Sequence, residues 1–179
     1  MDSLLTGLIS SKTKIKVLVR LFMNPGTQSY LRQLATEFGI STNAVREELK
    51  QLSSTKLIQS SKQGKRVLYR ANESHPLYPE LKSMVSKVLG VDQVIDGIVK
   101  RLGDLQEAYL LDDYAEGKDT GIIDLLLVGD INSYHLNDLS KKTERYINRK
   151  IRTIVFSPEE FSRFAEKLKD KPHLRIWRN

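Results

Sequence analysis

Asp124 lies inside a run of apolar residues, "IIDLLLVGD", and two more acids, Asp112 and Asp113, precede it in "LLDDYAEGKDT". A carboxylate in such a run is costly unless a partner or a metal ion neutralises it. Acids gathered in one place can hold a divalent cation through their oxygens. A single acid can instead pair with a base on a neighbouring strand. The stretch reads as strand, polar turn and strand, so the two strands decide which acids meet.

A second set of residues suits polyanions. Ser41, Thr42, Asn43, Arg46 and Lys50 fall in "STNAVREELK", and Lys62, Lys65 and Arg66 fall in "SKQGKRV". Arg and Asn read guanine and adenine bidentately. Ser and Thr at a helix N-terminus bond phosphate, and Lys and Arg on a hairpin settle on phosphates or in a minor groove.

The elements that must position this set follow from periodicity. "SKTKIKVLVRLFMN" places Ile15, Leu18, Val19 and Phe22 on one helical stripe, stopped by Asn24-Pro25-Gly26. "SYLRQLATEFG" places Leu31, Leu34, Ala35 and Phe38 on one face, with Ser29 as N-cap and Gly39 as C-cap. After the turn Gly39-Ile40-Ser41, a third helix carries Val45, Leu49 and Leu52 inward, which turns Thr42, Asn43, Arg46 and Lys50 outward. Two helices across a tight glycine turn are a helix-turn-helix. Leu57-Ile58 and Val67-Leu68-Tyr69 then read as strands joined by the basic turn Ser60 to Gly64. A basic hairpin after a helix-turn-helix is a winged helix, whose third helix enters the major groove. The competing reading is a helical subdomain that docks protein, and Glu47 and Glu48 on the third helix favour it because they repel phosphate.

The charge distribution agrees with nucleic acid as partner. The 179 residues carry a net charge of +7, and residues 1–75 hold 12 Lys+Arg against 5 Asp+Glu. Residues 76–179 are balanced, with 17 of each sign. A basic surface of this kind attracts polyanions. The chain has no cysteine, which excludes disulfides, zinc-thiolate sites and a thiol nucleophile. His75, His135 and His173 are scattered and suggest no metal centre. No apolar run approaches the ~20 residues of a membrane span, and the N-terminus with Asp2 makes a poor signal peptide. The expectation is a cytoplasmic protein with no membrane association and no cofactor.

Pro76 and Pro79 open a stretch that turns helical, with Leu81, Met84, Val85, Val88 and Leu89 on one stripe and Val91, Val94, Ile95, Ile98 and Leu102 on another beyond Gly90. These helices are the expected homodimer surface, since winged helices act as dimers on two-fold operators. From Glu107 the order is strand, turn, strand, helix ("HLNDLSKKTERYIN"), strand ("KIRTIVF") and helix ("SPEEFSRFAEKL"). Ser157 to Glu160 spells a capping box with proline at the first helical position. The expected class is α+β: a winged helix-turn-helix over 1–75, connecting helices over 76–104, and a small α/β domain over 105–179.

The motifs "SKTKIKVLVRLF", "SYLRQLATEFGIS", "HPLYPELKSMVSKVLG", "YAEGKD", "IDLLLVGD" and "VFSPEEF" resemble the prokaryotic winged-helix regulators that carry a minimal nucleotidyltransferase-like domain at the C-terminus. The resemblance implies a D-x-D pair on one strand, a third acid on the next, and a Gly-Ser pair near the phosphates. In active members two metal ions bridge the triphosphate and the attacking oxygen. This chain departs at each position. Asp124 fits the second aspartate, but the first falls on Ile122, the Gly-Ser pair on Asp112-Asp113, and the third acid on Lys150. Asp112, Asp113, Asp124 and Lys150 thus read as the remnant of a site, with Lys150 expected to neutralise Asp124. The alternative is a rearranged site in which the three acids share a cation.

The function expected is that of a dimeric, DNA-binding transcriptional regulator whose second domain is catalytically inactive and senses a small-molecule effector, binds a protein partner or sets dimer geometry. The alternatives are an active nucleotidyltransferase recruited to nucleic acid, and an antitoxin-like module that holds a partner protein.

Overall fold

The computed structural model describes residues 7–179. The signal-peptide expectation rests partly on residues 1–6, outside the described residues. The chain divides into two compact units, residues 1–89 and 90–179. The fold is α+β.

The first unit runs α1 (Lys12–Phe22), β1 (Gln28–Tyr30), α2 (Leu31–Phe38), α3 (Thr42–Ser54), β2 (Ile58–Gln63), β3 (Arg66–Ala71) and α4 (Tyr78–Leu89). Its antiparallel sheet has the order β1-β3-β2. This is a winged helix-turn-helix. The core is built by the expected stripes: Ile15, Phe22, Leu34, Val45 and Leu49 are all fully or almost fully buried. The Ser11 side chain caps α1 by accepting from the Lys14 amide at 3.1 Å. Gly39 ends α2 in the left-handed region at φ 64°, where a Cβ would be strained, and so permits the tight turn into α3.

Two local expectations are corrected. Ser29 is not the N-cap of α2: it lies in β1 and is fully buried, and Tyr30 occupies the cap position without a side-chain cap bond. The wing turn is also tighter than Ser60 to Gly64. Gln63 pairs with Arg66, so the strands continue to a two-residue turn at Gly64-Lys65, with Gly64 at φ 59°. Lys62 therefore belongs to β2 and Arg66 opens β3.

The second unit runs α5 (Val91–Gly97), a 3-10 turn (Val99–Arg101), β4 (Leu105–Leu111), α6 (Asp112–Ala115), β5 (Ile122–Gly129), α7 (Ser133–Ile147), β6 (Lys150–Phe156), α8 (Pro158–Lys169) and β7 (His173–Arg178). Its sheet has the order β6-β5-β4-β7. Strands β5 and β6 are parallel, joined by the α7 crossover, and the other pairs are antiparallel. One face of the sheet, with Tyr109, Leu111, Leu126 and Val128, packs under Leu168, Phe161 and Phe164 of α8. The opposite face presents Ile123, Leu125 and Leu127, all fully buried. The capping box of α8 forms as its sequence specifies. Sequence reading gave no β7, and it placed a plain turn where Asp112–Ala115 forms a short helix.

Candidate functional site

On α3, Val45, Leu49 and Leu52 are buried, and Ser41, Thr42, Asn43, Arg46 and Lys50 are exposed, as helical spacing requires. The Ser41 hydroxyl accepts from the Ala44 amide at 3.2 Å. One orphan donor is thereby satisfied while the hydroxyl hydrogen stays available to an acceptor. Arg46 donates to Asn43 Oδ1 at 2.5 Å, which steadies both side chains on the exposed face. Glu48, one of the two acids weighed against phosphate contact, turns toward α1. It accepts from the Ser11 hydroxyl and pairs with Lys14 at 3.4 Å. Only Glu47 of that pair is exposed.

The wing carries Lys62, Lys65 and Arg66 in exposed positions. Arg66 sits over the Tyr30 ring at 5.7 Å, a cation–π contact, and the Tyr30 hydroxyl donates to Gln63 Oε1 at 2.8 Å. Tyr30 thus ties β1 and the start of α2 to the wing turn. A depression of about 460 Å³ between α2 and α3 is bordered by Arg32, Thr36, Ser41 and Thr42. The apolar stripe of α2 carries no signal for Arg32 or Tyr30. Alternation from Ser29 inward to Tyr30 and Gln28 outward was the signal that would have placed Tyr30 on the outer face of the sheet.

The acids of the second unit do not converge as one set. Asp124 is half-buried, its side chain 21% exposed, and Arg152 holds it. The expectation that Lys150 would neutralise it is corrected by the strand register. In the parallel pair, Asp124 lies beside Arg152 and Ile122 beside Lys150. Lys150 instead pairs with Glu144 at 3.2 Å. The hydrogen bonds and charge of Asp124, and the charge of Asp112, hold the Arg152 guanidinium above its ordinary range. Asp113 pairs with Lys118 at 3.2 Å, and Lys118 also reaches Glu116 at 2.6 Å. Asp112 adopts φ 50°, the left-handed conformation that glycine takes without cost, at the position the resemblance assigns to a glycine-serine pair. Among the described residues no group of three His, Asp or Glu side chains is arranged to hold a metal ion.

The buried ion pair of this unit is elsewhere. Arg149 clasps Asp119 with Nη2 at 2.7 Å and Nε at 3.2 Å, and donates from Nη1 to the Ile147 carbonyl at 2.8 Å. The two side chains are only 9% and 8% exposed. Burial opposes the Arg149 charge, but the hydrogen bond to Asp119 and the neighbouring charges outweigh it and raise its pKa. Burial also pushes the nearby Tyr114 hydroxyl up. The pair pins the turn before β5 to the loop before β6.

No family model matches the sequence, and no curated protein matches it. Several solved structures are similar over about half of the chain. Reduced HlyU from Vibrio cholerae is 17% identical, with 49% of this chain covering 83% of that one, at a TM-score of 0.39. A ZitR variant from Lactococcus lactis in apo form is 27% identical over 48% of this chain and 66% of its own, at 0.38. A chain of the toxin-antitoxin MntA-HpeT crystal structure is 14% identical over 50% of this chain and 72% of its own, at 0.40.

Proposed function

We propose that the protein is a sequence-specific, double-strand DNA-binding regulator that acts as a dimer, with a second unit that is a catalytically idle relative of nucleotidyltransferases. The observation that carries the reading is the exposed set on α3, Thr42, Asn43, Arg46 and Lys50, beside a wing bearing Lys62, Lys65 and Arg66. The N-terminal half of α3 enters the major groove, where Arg46 and Asn43 meet base edges. Ser41 and Thr42 bond a phosphate at the helix N-terminus. Lys62, Lys65 and Arg66 take the flanking backbone. In the second unit, Arg152 supplies to Asp124 the positive charge that a metal ion supplies in an active site. That unit then serves to sense an effector, hold a partner or set the dimer.

Footprinting on genomic fragments with a salt titration tests the reading. The expected result is a two-fold protected site whose affinity falls steeply with salt. Weak binding to all fragments alike, with no protected site, would overturn it.

A further inference from the structure

Strand β6 is an edge of its sheet: it pairs with β5, and among the described residues no strand lies on its other side. It has no proline and no bulge, its register with β5 running unbroken from Lys150 to Phe156. Edge strands are ordinarily blunted by such devices or by charges, because their open amides invite another strand. On β6 the charges Lys150 and Arg152 lie in its first half, each already paired with an acid of its own chain. Ile154 and Val155 are 48% and 36% exposed. The opposite edge, β7, shows no large apolar side chain with comparable exposure. The apolar stripes of the 76–104 helices are partly used up within one chain, with Leu81, Met84 and Ile95 half-buried. Val85, Val88, Leu89, Val91, Val94 and Ile98 are already buried within one chain.

The backbone bonds show which groups of β6 face outward. The Lys150 amide donates to the Gly121 carbonyl at 2.9 Å, on the β5 side. The next amide, Ile151, points the other way, and Glu144 Oε1 takes it at 2.8 Å. Alternation then directs the Arg152 and Ile154 amides inward and the Thr153 and Val155 amides outward. Glu144 closes the edge at Ile151. The two outward amides beyond it, Thr153 and Val155, are symmetric about Ile154.

We infer that a second copy of this chain pairs with β6, antiparallel and edge to edge, about a two-fold axis at Ile154. Thr153 and Val155 of each strand then exchange backbone hydrogen bonds with Val155 and Thr153 of the other. A two-fold axis perpendicular to the sheet pairs only residues on the same face, so charge and free amides decide the centre. Val155 is excluded because it would oppose Thr153 to Ser157, whose amide donates to Glu160. An axis at Arg152 would set guanidinium against guanidinium. An axis at Thr153 would require Ile151, whose amide Glu144 already occupies. The axis at Ile154 buries the most exposed apolar side chain of the strand against itself and lays Arg152 over Phe156. No like charges then face each other. The inference rests on the sheet alone and is independent of DNA binding.

The test uses the full chain and its lack of cysteine. Sedimentation should show a dimer for the natural chain and for Ile154→Val. Ile154→Lys, which sets lysine against lysine, should raise the dissociation constant roughly tenfold or more with unchanged far-ultraviolet circular dichroism. Cysteine introduced at Ile154 should form a disulfide-linked dimer under mild oxidation, because directly opposed residues without mutual backbone bonds approach to about 4.5 Å between Cα atoms. Cysteine introduced at Thr153 should not, its own copy lying on a diagonal. A monomeric natural chain, an Ile154→Lys dimer as tight as the natural one, or faster cross-linking at 153 than at 154 would each overturn the inference.

Discussion

Arg152 grips Asp124 with two hydrogen bonds, Nε to Oδ1 and Nη2 to Oδ2, each 2.6 Å long. The bidentate fork is the geometry in which a guanidinium matches a carboxylate best. Both carboxylate oxygens are engaged, so a cation arriving at Asp124 must first displace a charge already in place. The side chains of Ile122 and Leu126, two residues to either side, offer no oxygen. Magnesium with ATP is therefore expected to leave the melting temperature unchanged. A magnesium-dependent rise that Asp124→Ala abolishes, or nucleotide transfer that depends on Asp124, would show that the second unit still works as an enzyme.

The two halves of the proposed DNA interface should fail differently. With Arg46 proposed to meet base edges, Arg46→Ala is expected to cost about 1–3 kcal/mol on the preferred site and to relax base preference there. Lys65 sits in the wing turn, where the proposed contact is to phosphate. Lys65→Ala should weaken all sequences alike and lower the salt slope by about 1. Competition binding against a randomised site at several salt concentrations separates the two. An Arg46→Ala protein with unchanged preference would mean that α3 does not read the groove.

What could be read in the sequence was whatever had a period. The α3 stripe buries its apolar members, α2 buries Leu34 and Ala35 but leaves Leu31 and Phe38 half-buried, and α1 buries Val17 and Leu21 besides its stripe. The wing was read too short because Ser60 to Gln63 are exposed and polar throughout, so β2 carries no alternation at its tip. The strand β7 has no alternation in its sequence, since "HLRIWR" places exposed Arg175 and Arg178 three residues apart among half-buried ones. Arg152 was missed for a different reason. Which residue faces Asp124 depends on the parallel register, and that is set by the backbone at Gly121 and Lys150, not by side-chain pattern. Asp119 and Arg149 are 30 residues apart in polar loops, and nothing in either loop announces that they meet.

That buried pair should be the most sensitive polar contact of the second unit. Removing one partner leaves an uncompensated charge under cover, which costs more than the pair itself contributes. Arg149→Met is expected to destabilise by about 3 kcal/mol, and Asp119→Asn by a similar amount. The double variant Asp119→Leu with Arg149→Met should recover part of the loss, since no charge is then stranded. Urea unfolding measures all three. Single variants within a few tenths of a kcal/mol of the natural protein would show that the loops open to water.

Glu144 links the end of α7 to the start of β6, and it should make that junction acid-sensitive. The Ile151 amide holds its carboxyl below the usual range against the opposing effect of burial, and the Lys150 ammonium adds to the lowering. A carboxyl lowered by folding stabilises the native state fully above its ordinary value of about 4.3 and loses that contribution as pH falls through the lower native value. Glu144→Gln keeps an acceptor for the Ile151 amide but no longer titrates. It should be slightly less stable than the natural protein near neutrality, and the gap should close as pH falls below about 4. Glu144→Ala loses the acceptor as well and should cost about 1 kcal/mol at all pH values above that range. Urea unfolding of the three proteins from neutral pH down to mild acid checks the order. A gap between the natural protein and Glu144→Gln that widens in acid would reverse the sign and remove Glu144 from this role.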